Sequence, residues 1–177
     1  MNLLSIKKIE TKDKNLIFGW RKKNFVKKYL LHKKITKSSH SIWFKKKIKS
    51  RKFSAWIVIF NKKKIGLIQT DSIRKKKICN AGFYISNLSY SFLAFDVMNV
   101  LHDFVFNKLK FEKIESYISY KNNNIRKLNK INGYNELNNK YIYKKFIITY
   151  LTKSNWKKSN GYNYYKKKKW KTLIIYH

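Results

Sequence analysis

Three successive apolar, β-branched runs, followed by the longest helical pattern in the chain and then another apolar run, limit the folds open to this sequence more than any other feature. The runs cover residues 53–60, 65–70 and 78–86. Only 61–64 separate the first two, as in an antiparallel hairpin, and the third alternates well enough to pair with the second. Residues 92–109 repeat Leu93, Val97, Val100, Leu101, Phe104 and Val105 at helical spacing and lead into a strand over 113–120. A strand, a long helix and a parallel strand must cross over right-handedly. The helix amino terminus is then left open beside the carboxyl end of the first strand, where an anion can bind.

The flanks complete the pattern. A strand over 3–9, one or two helices over 15–31 and an amphipathic helix over 39–49, capped by Ser38 and Ser39, are expected before the hairpin. After the long helix come a short helix over 122–131, stopped by Gly133, and a strand over 141–151. This order predicts an α+β fold, a mixed central β-sheet flanked by helices in a three-layer α/β/α sandwich. Gly82, inside the third run, marks an expected bulge or a close approach by another backbone.

Composition enters where it limits function. A chain of 177 residues has the length of one domain. Lys and Arg number 43 against 8 Asp and Glu, a formal charge of +35 of the kind polyanion binders carry. The lysines, however, run from Lys7 to Lys171 without forming a stripe. The chain has no proline, five glycines and only Ala55, Ala81 and Ala94, while Lys, Asn, Ile, Tyr and Phe abound, which is how an AT-biased genome skews codons. A solvated basic face is therefore the favoured reading, with nucleic acid as the open alternative. The tail over 155–171 keeps that alternative alive, because it interleaves Trp156, Tyr162, Tyr164, Tyr165 and Trp170 with lysines. A lone Cys79 rules out a disulfide framework, and no thiol or carboxylate cluster suggests a metal. Neither a signal-peptide core nor a run long enough to span a membrane is visible, so a soluble cytoplasmic monomer or homodimer is expected.

Local wording narrows the reading further. Trp20-Arg21-Lys22-Lys23-Asn24-Phe25-Val26-Lys27-Lys28-Tyr29, His40-Ser41-Ile42-Trp43, Gly82-Phe83-Tyr84-Ile85-Ser86 and the segment from Asn122 to Gly133-Tyr134 occur in that order within residues 3–156. Together they resemble the GCN5-related N-acetyltransferases, especially the branch that acetylates the amino-sugar nucleotide of pseudaminic acid biosynthesis. The resemblance implies an N-acetyltransferase domain over 1–156, with the basic, aromatic-rich tail over 157–177 outside it. It implies acetyl-coenzyme A as donor, a nucleotide-linked amino sugar as acceptor, and direct transfer without an acyl-enzyme; sister branches take a protein amino terminus or an aminoglycoside instead.

The resemblance also carries residues. Phe83, Tyr84 and Ile85 would run along the pantetheine, the backbone of Ser91, Phe92, Leu93 and Ala94 would cradle the pyrophosphate, and Asn122 would touch the cofactor arm. Trp20, Arg21 and Trp43 would line the acceptor pocket. Family members usually carry glycines in the phosphate loop; here Ser89-Tyr90-Ser91-Phe92-Leu93-Ala94 stands there, so Tyr90 and Phe92 must point away for phosphate to approach. Asn129 occupies the place where many members use a tyrosine to protonate the departing thiolate, and an amide is no acid. For the base, His40 has a suitable intrinsic pKa and Glu115 lies on the strand after the long helix, each with a bland alternative as a core histidine or a surface acid. His102 reads as a surface or satisfied core residue.

Overall fold

Asn61 and Lys62 close the first hairpin as a two-residue turn, both with positive φ (46° and 66°), the geometry that matches the twist of the flanking strands. In the computed structural model, which describes residues 4–31, 34–50, 53–73, 77–142, 145–168 and 173–175, this hairpin joins β2 (Phe53–Phe60) to β3 (Lys63–Ile73). β1 (Leu4–Lys8) pairs antiparallel with β2, and β4 (Ile78–Ile85) pairs antiparallel with β3. β5 (Lys113–Ser119), β6 (Asn135–Ile142), β7 (Phe146–Thr152) and β8 (Leu173–Ile175) complete a sheet of order β6-β7-β5-β4-β3-β2-β1-β8.

The sheet is mixed, as expected. β4 and β5 are parallel, as are β1 and β8, and the remaining pairs are antiparallel. Its faces are covered separately. On one face α1 (Lys14–Lys22) and α3 (Lys37–Lys49) bury Ile17, Trp20 and Phe44 against Ala55, Ile57 and Leu67, while α2 (Asn24–Lys27) follows α1. On the other, α4 (Ala94–Asp103) packs Val97, Val100 and Leu101 on Trp56, Ile68, Cys79 and Ile114. This is the three-layer sandwich, and alternation along each strand divides the residues between its two cores.

Several boundaries move, each for a local reason. Thr36, not Ser38 or Ser39, caps α3: its hydroxyl accepts from Ser39 N (3.1 Å) while Ser39 Oγ accepts from Thr36 N (3.0 Å). The long helix is composite, with a 3-10 turn over Leu88–Leu93, the regular α4, and one wider π-turn over Phe104–Lys108. The wider turn lets Phe104, Val105 and Phe106 all be buried in succession. The strand expected over 141–151 is two antiparallel strands, β6 and β7; β6 was illegible because Asn135–Ile142 reads as polar, which an edge strand tolerates. Gly82 makes no bulge, and apart from its chain neighbours no atom of the described residues lies within 4 Å of where its Cβ would sit, so the expected close approach is absent among them.

The tail joins the sandwich. α5 (Asn123–Ile131) ends at Gly133, whose φ of 81° turns the chain. α6 (Lys153–Lys158) and α7 (Asn160–Lys167) pack there, with Trp156 buried beneath the rings of Tyr162 and Tyr165. Gly161 must be glycine, since a Cβ would meet Asn132 Oδ1 at 2.2 Å. Lys168 then pairs with the buried Asp96 at the start of α4 (3.0 Å). Trp170, singled out in the sequence, lies outside the described residues.

Candidate active site

Parallel pairing of β4 with β5 stops early. Ile78, Cys79 and Asn80 pair with Lys113, Ile114 and Glu115, and the strands then diverge although both continue, β4 to Ile85 and β5 to Ser119. Beyond the fork each strand keeps its outer neighbour, β3 or β7, and turns toward the gap a main-chain edge with no strand partner among the described residues. Ser116 Oγ bridges the fork by donating to Ala81 O (2.7 Å).

A cavity of about 120 Å³ fills the gap. Its walls include Ala81, Gly82 and Phe83 of β4, Ser116 to Ser119 of β5, Met98 and His102 of α4, and Asn122, Ile125 and Asn129 of the α5 segment. Tyr134 closes the floor, its hydroxyl 3.0 Å from His102 Nε2 in a hydrogen bond. His102 is fully buried, and desolvation pushes it down to about 3, so the imidazole is neutral; its Nδ1 is buried with no partner among the described residues. Burial raises the Tyr134 phenol, with a side-chain hydrogen bond to Ser116 acting the other way, so it remains protonated.

A second cavity, about 350 Å³, opens on the other face of the sheet beside the same stretch of β4. Arg21 and Trp43 line it, the guanidinium carbon 4.3 Å from the indole centroid, together with Gln69, Asp71, Asn80 and Tyr84. Asn80 Nδ2 and the Tyr84 hydroxyl are both buried without a partner among the described residues, and burial raises the Tyr84 phenol. Unpaired buried polar atoms cost about 1–3 kcal/mol each, so two on one cavity wall are groups awaiting a ligand or water. Register places Asp71, Asn80 and Glu115 in one row across β3, β4 and β5, and residues so paired share a face. Lys47 holds Asp71, and Lys113 holds Glu115 at 3.1 Å. Gly82 and Phe83 line both cavities, so the two adjoin where β4 lacks a side chain.

The sequence-named residues divide accordingly. Arg21, Trp43, Phe83 and Tyr84 come together at the second cavity, while Trp20 is core. Phe83, Asn122 and Asn129 line the gap; Asn122 also caps α5, and Asn129 donates to Thr149 Oγ1 (3.3 Å). Ile85 packs on the α4 core, and Ser91, Phe92, Leu93 and Ala94 line neither cavity. Tyr90 and Phe92 both turn toward Phe60, each ring centroid 6.3 Å away, so neither plugs the gap. Glu115 lies on the face of the second cavity without lining it. His40 lies off both cavities and is buried among Phe18, Trp43 and Phe44. Its Nε2 donates to Lys14 O (2.9 Å), which leaves Nδ1 to accept from Arg21 Nη1 at 3.4 Å, and burial lowers its pKa. That arrangement orients Arg21 and spends both imidazole nitrogens.

Sequence reasoning missed Ser116, Asn80, Asp71 and Tyr29 and misjudged His102, which is neither exposed nor fully satisfied. Alternation alone puts Ser116 on the face of Ile114 and Ile118, toward α4; its meeting with Tyr134 and His102 comes from segments far apart in sequence.

No protein-family model matches the sequence, and no curated protein matches it. Solved structures do match in fold. The N-acetyltransferase PseH of Campylobacter jejuni is 22% identical with TM-score 0.65, over 85% of this chain and 99% of its own. Spermidine N-acetyltransferase from Vibrio cholerae, solved with CoA and spermine, is 17% identical with TM-score 0.75, over 86% and 97%. Aminoglycoside acetyltransferase AAC(6')-Ib, solved with coenzyme A and kanamycin, is 12% identical with TM-score 0.75, over 88% and 98%. The chain thus has the N-acetyltransferase fold.

Proposed function

We propose that this chain is an acetyl-CoA-dependent N-acetyltransferase whose acceptor is the amine of a nucleotide-linked amino sugar. The observation that carries the reading is the fork at Asn80 and Glu115, with one cavity in the gap and a second adjoining it at Gly82 and Phe83. The unpaired β4 and β5 edges suit a pantetheine arm, which offers amide donors and acceptors, and the orphaned His102 Nδ1 suits a polar group in the gap. Acetyl-CoA supplies the activated acyl thioester; this chain's residues orient, exclude water and move protons.

Direct attack fits the one thiol present. Cys79 is buried on β4 and desolvation pushes it up to about 12, so it offers no nucleophile for an acyl-enzyme. The acceptor amine approaches from the Arg21 and Trp43 side past Gly82. Glu115 takes its proton through water, and Asp71, in the same row, faces the acceptor cavity. At the other end Tyr134 donates to the departing sulfur, standing in for the acid that Asn129 lacks. The other fold-mates' acceptors, spermidine and aminoglycosides, are polycations. Here the acceptor cavity offers Arg21 and a carboxylate already paired with Lys47, which favours a less cationic acceptor.

Purified protein, acetyl-CoA and a panel of acceptors test this by release of free CoA thiol. Turnover with a uridine-diphosphate amino sugar, and little with spermidine or kanamycin, is the expected result. Absence of acetyl-CoA binding at millimolar concentration sinks the enzyme reading, whereas turnover with the polycations alone sinks the acceptor.

A further inference from the structure

A third cavity, about 390 Å³, lies at the carboxyl end of β5, walled by Lys28, Lys121 and Lys145 and by Tyr29, Tyr120 and Phe146. Its volume is in the range of small-molecule sites, roughly 300–1,000 Å³. Tyr120 N donates to Lys145 O (3.2 Å), which ties the two walls together. Lys28 Nζ stands 4.7 Å from the Tyr29 ring centroid and Lys121 Nζ 5.7 Å from that of Tyr120, so cations and ring faces alternate around the space.

No acidic side chain lines this cavity. The chain has only eight, and they are engaged elsewhere. Glu10, Asp13, Asp71, Asp96, Glu112, Glu115 and Glu136 sit in ion pairs with other bases, and Asp103 accepts from Asn107 (2.7 Å). Three cations thus surround one concave space without a counter-charge among the described residues, and their mutual repulsion falls when an anion enters. Aromatic walls add a preference for a flat ring.

Tyr29 also lines both the gap cavity and the acceptor cavity, so it stands where the three meet. A ligand with its amine beside Gly82 can therefore extend past Tyr29 into the basic cavity. We infer that this cavity is a subsite for a nucleoside-diphosphate arm of the acceptor: Lys28, Lys121 and Lys145 take the phosphates and the tyrosine and phenylalanine rings take the base. The inference rests on the acetyltransferase reading for the acceptor's direction of entry. Coenzyme A also carries phosphates on a nucleotide, so the experiment must separate the two sources.

Calorimetric titration of the full chain with UDP, pyrophosphate and CoA does so. Three proteins are compared: wild type, the cavity triple variant Lys28→Ala/Lys121→Ala/Lys145→Ala, and a control triple variant Lys45→Ala/Lys49→Ala/Lys157→Ala, whose exposed lysines lie elsewhere. Circular dichroism melting confirms that each variant is folded. Charge-assisted contacts to phosphate are each worth about tenfold in affinity. The expected result is UDP binding that tightens at low salt, exceeds pyrophosphate binding, weakens at least about tenfold in the cavity variant and changes less than about twofold in the control. CoA affinity stays the same in all three. The inference is overturned by undetectable UDP binding, by equal losses in both variants, which would mean a general charge effect, or by a parallel loss of CoA affinity, which would give the lysines to the donor. Loss of CoA binding from the wild type defeats the acetyltransferase reading instead, independently of the UDP result.

Discussion

Substitution at Gly82 separates folding from chemistry at one position. The site is in the middle of β4, its φ lies outside the left-handed region, and a Cβ there would meet nothing within 4 Å. Glycine inside a strand costs roughly 0.5–1 kcal/mol relative to alanine, so Gly82→Ala should stabilise the protein by about that much. At this chain length the gain corresponds to a rise in Tm of about 1–4 °C. Gly82→Val should match or exceed it, because β-branched residues suit strands. The same methyl groups project into the seam between the cavities of about 120 and 350 Å³. A displacement of about 1 Å between reacting groups costs about 100-fold in rate, so kcat/KM of Gly82→Val should fall by at least about 100-fold, with Gly82→Ala in between. Scanning calorimetry and CoA-thiol release on the same preparations read both effects. Full activity in the stabilised valine variant would refute the passage at Gly82, and a lowered Tm would refute the open space.

Three further outcomes follow from the geometry. Gly161→Ala places a Cβ 2.2 Å from Asn132 Oδ1 and should cost about 1–3 kcal/mol as α7 is pushed off the end of α5, read as a lowered urea midpoint. Tyr134→Phe removes the hydroxyl at His102 Nε2, leaving both imidazole nitrogens without a partner among the described residues; kcat should fall about 10- to 100-fold at nearly constant CoA affinity, and stability should drop by about 1–3 kcal/mol. His102 is held down to about 3 by burial, against about 6.5 in the unfolded chain, so between these values the unfolded state binds the extra proton. Its stabilisation is therefore complete above about pH 6.5 and falls by about 1.4 kcal/mol per unit as pH drops toward 3. His40 shifts in the same direction, and His102→Leu should remove one proton's worth of slope in urea melts taken from pH 7 to pH 4.

The elements carried by periodicity were readable, and those carried by position in the sheet were not. Val97, Val100 and Leu101 announce α4 because one helix face must be apolar to lie on the sheet. Asn135–Ile142 gives no such signal, because an edge strand has one neighbour and needs few apolar contacts. The basic, aromatic-rich tail carries no periodic signal of its own, because Gly161 and Trp156 fix it by long-range packing onto Asn132 and the α4 core. At the site, Arg21 and Trp43 were legible from their local wording. The meeting of Tyr134, His102 and Ser116 was not, because three elements bring together residues whose individual patterns are those of ordinary core and turn positions. His40 shows the converse. Its residue type suits a base, but the direction of its two nitrogens, which no sequence pattern encodes, commits it to Lys14 and Arg21.

A turn over residues 88–93 without glycine is compatible with the fold for a related reason. Glycine matters in such a loop only where a side chain would stand between the main chain and the anion. In this chain Asn87 opens the 3-10 turn by accepting from Ser89 N (3.0 Å), and the turn then sends Tyr90 and Phe92 to the two sides of Phe60 at the end of β2. Phe60 is itself core, so the large loop side chains are anchored on the sheet and away from the fork. Recognition by main-chain edges constrains where the backbone runs and leaves most side chains free to drift. On the proposed function, the constraint concentrates at two residues lining the gap, Gly82 on β4 and Tyr134.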